Sequence, residues 1–206
     1  GKAALEGFAD VAGTRIVVFY PDDGVSDIQK LQMLTQECKN VDVFAVKGNF
    51  DDAQTGVKKI FGNKELEKKM QEKGFSFSSA NSINWGRLVP QIGYYFSAYL
   101  SAVHDASIKM GDKVNFVVPT GNFGNILAGF YAKCMGLPVN KFICASNSNN
   151  VLADFINTGC YDKKRDFHKT ISPSMDILVS SNLERMLYQL TNGNSEQIKN
   201  WMQQLE

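Results

Sequence analysis

The heptapeptide PTGNFGN, residues 119–125, limits this chain more than any other stretch, because it sits between two segments of opposite periodicity. Before it, Val114, Phe116, Val117 and Val118 form a short β-branched and aromatic run suited to a buried strand, which Pro119 ends. After it, Ile126, Leu127, Phe130, Tyr131 and Met135 recur at helical spacing, and Gly136 with Pro138 stops the helix. The spacing predicts a strand, a glycine loop and a helix. Gly121 and Gly124 are expected to take positive φ and bring the backbone close to a ligand. The amides that open the helix have no acceptor within it and lie at the positive end of its dipole, so the turn suits an anion, typically a phosphate. A tight turn whose glycines serve sterics alone has the same GxxG pattern, so the loop does not decide the matter by itself. It lacks the lysine of a Walker A loop and the third glycine of a dinucleotide loop, which argues against a nucleotide-binding dehydrogenase domain.

A second unusual stretch, ANSINWGR at residues 80–87, precedes an apolar helix expected over residues 88–103. Asn81, Ser82 and Asn84 offer neutral hydrogen bonds and Arg87 a planar fork, the chemistry that clasps an anionic substrate. The same residues also suit a capping loop with Arg87 in a structural ion pair. Tyr94, Tyr95, Phe96 and Tyr99 follow at helical spacing and are expected to pack in the core with hydroxyls bonded at its edge.

Elsewhere, strand-like runs at residues 15–20, 41–46, 75–79 and 141–145 alternate with helical patterns. Those patterns cover residues 2–12, 26–36, a segment capped by Asp51, and residues 63–73, 151–156, 178–190 and 195–203. Turns are expected at residues 21–24 (Pro21-Asp22-Asp23-Gly24) and at Gly48 and Asn49. Ser26 with Gln29 reads as a capping box, and Glu65 with Lys69 as a surface pair. The alternation predicts an α/β fold with a mostly parallel sheet flanked by helices. Residues 146–150 form a Ser/Asn run at a strand end, where loops of parallel sheets line ligand crevices, although such runs also serve as plain loops.

Twenty-two basic against 21 acidic residues leave a formal charge of +1, so nothing implies nucleic acid or an anionic membrane as a partner. Four cysteines without a CxxC pair, and two histidines, argue against zinc and for reduced, mostly buried thiols. No apolar run approaches a membrane span and the first residues lack a secretory layout, so the cytoplasm is the expected location.

Three further strings join PTGNFGN in one order: Phe19-Tyr20-Pro21 followed by Ser26, Ile28, Gln29, Gln32 and Met33; SANSINWGRLVPQIGYYF from Ser79; and SPSMDILVSSNLERML from Ser172. Together they resemble threonine synthase of the longer bacterial and fungal type over nearly the whole chain. The resemblance implies part of a fold-type II pyridoxal-phosphate enzyme that converts O-phospho-L-homoserine and water into L-threonine and phosphate. It implies that Gly121, Asn122, Phe123, Gly124 and Asn125 hold the cofactor phosphate. Asn81, Ser82, Asn84 and Arg87 would hold the substrate phosphate, which becomes the leaving group. It also implies a partial cofactor-binding α/β domain over residues 1–190 and the start of a C-terminal helical segment over residues 191–206.

The family bonds its cofactor through a lysine placed between an aromatic residue and Asp-Phe, upstream of a Ser-Gly-Asp-Thr-Gly loop, and neither motif occurs here. Gly1 aligns with the last glycine of that loop, so the resemblance implies a central fragment without a catalytic residue of its own. Lys2, Lys47 and Lys133 are not in the lysine's context. A non-catalytic phosphate-ligand module on the same fold remains the alternative, and the oligomeric state is unspecified.

Overall fold

Two parallel strands cannot be joined by a hairpin, and each half of this chain supplies a helical crossover instead. The structure, a computed structural model, describes residues 2–22, 24–48 and 50–205. The chain divides into two compact units, residues 1–80 and 81–206.

The first unit contains α1 (Lys2–Gly7), β1 (Ile16–Pro21), α2 (Asp27–Leu34), β2 (Val41–Val46), α3 (Phe50–Gly62) and α4 (Lys64–Glu72). β1 and β2 pair in parallel, from Ile16 with Val41 to Pro21 with Val46. Ser26 caps α2 by accepting from the Gln29 amide at 3.3 Å, and Lys69 meets Glu65 at 2.6 Å along α4. α1 is shorter than its pattern predicts, because a tertiary contact replaces its last turn. Asp10 takes φ 53 and gives its amide to Asn40 Oδ1 at 2.9 Å, while Asn40 Nδ2 donates to the Phe8 carbonyl at 2.8 Å. Asp51, expected as a cap, falls inside the first turn of α3; Asn49 ahead of it and Asp23 of the expected turn lie outside the described residues. Residues 75–79 form no strand; their alternation serves instead to place Phe77 on the Phe61 ring, with centroids 5.6 Å apart.

The second unit runs α5 (Trp85–His104), β3 (Val114–Pro119), α6 (Gly124–Cys134), β4 (Val139–Ala145), α7 (Val151–Thr158), α8 (Leu183–Leu190) and α9 (Ser195–Leu205). β3 and β4 are parallel and in step from Asn115 with Lys141 to Pro119 with Ala145. The fold is therefore α/β as expected, with the described strands in two separate parallel pairs rather than one larger sheet. Leu88, Tyr95 and Tyr99 of α5 interlock with Ile126, Leu127, Ala128 and Ala132 of α6, and Val118, Val139, Leu152 and Leu183 complete the core. The Tyr95 ring lies edge-on to Phe116 and Phe142, at centroid distances of 4.9 and 6.0 Å. α8 begins only at Leu183, five residues later than its apolar stripe suggests. All four cysteines are free, and Cys134 and Cys160 are exposed, so the thiols are not mostly buried. Among the described residues, no helix is long and apolar enough to cross a membrane, and no group of His, Cys, Asp and Glu is suited to a metal ion.

α5 and α6 approach closely because Gly129 has no side chain. A Cβ there would lie 2.6 Å from Tyr95 Cζ and 2.7 Å from Phe142 Cε1. Gly129→Ala is therefore expected to destabilise the unit by about 1–3 kcal/mol through overpacking. Urea unfolding checks this, and an unshifted midpoint would show that the rings move aside freely.

Candidate anion site

The loop between β3 and α6 turns twice through left-handed backbone. Thr120 extends the strand pairing with its amide on the Ala145 carbonyl at 2.9 Å; Gly121 then takes φ 46 and Phe123 φ 63. The Phe123 amide closes back on the Thr120 carbonyl at 3.0 Å, and the Leu127 amide makes the first helical bond, to the Phe123 carbonyl at 3.0 Å. The amides of Gly121, Asn122, Gly124, Asn125 and Ile126 find no acceptor among the described residues. Such a turn, alternating handedness at a helix start, is a concave donor set for an anion.

Two glycine expectations divide here. Gly121 has the positive φ expected of it, but the second left-handed residue is Phe123, not Gly124. Gly124 answers a different demand: a Cβ on it would lie 2.5 Å from Ser82 Cβ and 2.7 Å from Ser82 Oγ. Glycine stands there so that the Ser82 segment can reach the loop. Phe123, whose ring is buried, shapes the turn and uses its own amide internally.

Of the four residues expected to meet substrate, Ser82 lies against this loop. Asn81 sits behind it, its Oδ1 accepting from the Ser82 hydroxyl and the Ile83 amide, both at 3.3 Å. Asn84 is the N-cap of α5 and accepts from the Gly86 amide at 2.9 Å. Arg87 is exposed, and its guanidinium has no hydrogen bond or ion pair among the described residues. Asn125 is oriented from below: the Tyr95 hydroxyl reaches both its carbonyl and its Oδ1 at 2.8 Å, which leaves the amide nitrogen as the free end of the side chain.

Residues 180–185 hold this arrangement, and their helical pattern concealed it. Ser180 Oγ donates to the Gly121 carbonyl at 2.7 Å. Asn182, fully buried, sends its backbone amide to the Asn122 carbonyl at 3.2 Å and its Nδ2 to that carbonyl at 3.0 Å and to Ser82 Oγ at 2.9 Å. Arg185 reaches Asn182 Oδ1 at 2.8 Å and the carbonyls of Ser82 and Ile83. The only sequence signal was a Ser-Ser-Asn triplet, whose polarity is unusual at the start of an apolar stripe. Residues 146–150 are engaged elsewhere: Asn147 and Asn149 donate to buried Asp176 at 2.7 and 3.1 Å.

A crossover fold with free amides at a strand-to-helix turn, beside a loop rich in Asn and Ser, defines the class as an α/β protein with a donor-lined turn of the kind that suits an anion. Comparison with known proteins narrows this. No family model matches the chain. Human threonine synthase-like 1 is 47% identical over 213 residues, covering 100% of this chain and 29% of that protein. Threonine synthase of Saccharomyces cerevisiae is 41% identical over 215 residues, covering 100% of this chain and 40% of its own length. The crystal structure of PLP-bound threonine synthase from Brucella melitensis superposes with a TM-score of 0.82 at 40% identity, covering 99% of this chain and 42% of that one. The chain belongs to the threonine synthase family. It spans between 29% and 40% of the length of these curated relatives.

Gly124→Ala is expected to displace Ser82, break its bond to Asn182 and cost about 1–3 kcal/mol of stability. A crystal structure of the variant with Ser82 unmoved would contradict the steric account. A second expectation concerns pH. Burial pushes the Tyr95 phenol up from 10.0 to about 12 by penalising the phenolate. A raised pKa means that the stabilisation is complete below the unfolded-state value of 10.0 and is lost as pH rises through about 12. Phenolate absorbance should show one late-titrating tyrosine in the folded chain, absent in Tyr95→Phe; the same late step in both proteins would assign it elsewhere.

Proposed function

We propose that this chain carries the phosphate-holding part of a threonine synthase, an enzyme that turns O-phospho-L-homoserine and water into L-threonine and phosphate with pyridoxal phosphate. The observation that carries the proposal is the set of five unsatisfied amides at residues 121–126 directly beside Ser82. The residue types fit a phosphate: residues 119–126 and 79–87 contain no carboxylate, and Gly124, lacking a Cβ, lets the Ser82 hydroxyl come up to the free amides. The amides of Gly121, Asn122, Gly124 and Asn125, with the Asn122 and Asn125 side chains, would hold the cofactor phosphate, and Phe123 would set the turn. When bound, pyridoxal phosphate supplies an electron sink for carbanions.

Asn81, Ser82, Asn84 and Arg87 would bind the substrate phosphate. Arg87 presents a fork without a partner among the described residues, which suits a dianion that must be held and then released as a leaving group. The chain's own residues would therefore bind and orient two phosphates and stabilise their charge. No residue is assigned to proton transfer or covalent bonding, because none of its lysines stands in the family's lysine context. The substrate is a small molecule, with no nucleic acid or membrane involved, and the setting is the cytoplasm. In the whole enzyme, residues 1–190 would be part of the cofactor domain and residues 191–206 the start of a helical segment.

The 206-residue chain alone is expected to bind inorganic phosphate weakly, because each charge-assisted hydrogen bond contributes only about 1.5–3 kcal/mol and association offsets much of it. It should release no phosphate from O-phosphohomoserine. Amide NMR during a phosphate titration and a phosphate-release assay with added pyridoxal phosphate test both points. Shifts confined to residues outside 81–87 and 121–126 would overturn the site. One stoichiometric, borohydride-trapped lysine adduct with turnover would overturn the expected inactivity.

A further inference from the structure

Asn182 occupies the N-cap position of α8 and yet its side chain caps none of that helix's backbone amides. An Asn there ordinarily satisfies one of the first free amides of the helix. This one is fully buried and turns its amide nitrogen to other segments and its oxygen to the Arg185 side chain. Its Nδ2 donates at once to Ser82 Oγ at 2.9 Å and to the Asn122 carbonyl at 3.0 Å, joining residues 100 and 60 positions away in sequence. Its Oδ1 accepts from Arg185 at 2.8 Å, and the same guanidinium grips the Ser82 and Ile83 carbonyls. Both the nitrogen and the oxygen of the Asn182 side chain are thereby engaged. A carbonyl that accepts two hydrogen bonds, as that of Asn122 does, cannot rotate without breaking both, and it belongs to the peptide whose nitrogen is Phe123, at the centre of the free-amide turn.

We propose that Asn182, held by Arg185, is a positioning residue that couples the amide turn at residues 121–126 to the Asn/Ser loop at residues 81–84, so that both present their donors together. The proposal rests on the anion-binding role given to those two loops. Asn182 touches neither phosphate; it acts through Ser82 Oγ and the Asn122 carbonyl. Its chemistry also explains the residue type: aspartate at this place would keep the acceptor for Arg185 but lose both donated bonds, and serine would not span the distance. Arg185 adds a charge beside the site while its fork is used on three neutral acceptors, which is geometry a lysine cannot reproduce.

The test uses the full chain as wild type, Asn182→Asp, Asn182→Ala and Arg185→Lys, with Leu137→Ala, in the core between the end of α6 and the start of β4, as a control. Without any anion, amide exchange is followed at Ser82, Ile83 and residues 121–126. Asn182→Asp and Asn182→Ala should speed exchange at both loops together, and Arg185→Lys should do so mainly at Ser82 and Ile83. Leu137→Ala should lower the melting temperature without singling out either loop. Inorganic phosphate is then titrated: wild type and Leu137→Ala should share one dissociation constant, whereas the Asn182 variants should weaken binding by about ten-fold or more, the size of one good hydrogen bond to a charge. If exchange at the two loops stays at wild-type rates in Asn182→Asp and Asn182→Ala, or if Leu137→Ala weakens phosphate as much as they do, the coupling role is wrong. If wild type itself shows no phosphate shifts at residues 121–126, the anion assignment fails, while the exchange result still decides whether Asn182 holds the loops together.

Discussion

The left-handed backbone of Phe123 is the constraint from which the site follows. A side-chain-bearing residue at φ 63 costs about 1–2 kcal/mol, and it persists only where surrounding contacts over-determine it. Here the ring is buried in the core that α5 and α6 share, so the strain is offset by apolar burial. The consequence is electrostatic. With Gly121 and Phe123 both left-handed, the turn spends one amide on itself and leaves five without acceptors, at the positive end of α6.

The packing that supports this turn also limits it. α6 lies close to α5 at Gly129, which admits the Tyr95 ring, and the Tyr95 hydroxyl continues one turn along α6 to Asn125. Gly124 at the start of the same helix admits Ser82. Two glycines on one helix thus do separate jobs, the first bringing a second loop to the site and the second seating the aromatic that orients Asn125. The buried phenol resists ionisation for the same reason that it is a dependable donor: water does not reach it.

On this framework the family relation acquires physical content. In this chain the donors at residues 121–126 stand in a stretch without carboxylates and are held by hydrogen bonds rather than by ion pairs. A second polar knot, centred on the buried carboxylate of Asp176 and reached by Asn147, Asn149 and Thr170, ties down the loops after β4. Networks of this kind depend on complete satisfaction, since an unpaired buried polar group is costly.

The sequence by itself determined the strand, loop and helix around residues 119–125, the capping of α2, the surface pairing on α4 and the α/β class, because each is written in local periodicity or in a short-range side-chain bond. It also carried the family, through four strings in order. It did not determine where α1 ends or where α8 begins. At both places a residue distant in sequence supplied better partners than the next helical turn: Asn40 for residues 8–10, and the Gly121 and Asn122 carbonyls for residues 180–182. Nor did it reveal that Gly124 is required by Ser82, or that Phe123 takes the left-handed role, since both follow from contacts across 42 residues of chain and from a ring buried in the core. Periodicity reports which face of an element is apolar; only the tertiary structure decides which polar group is close enough to replace the next backbone bond.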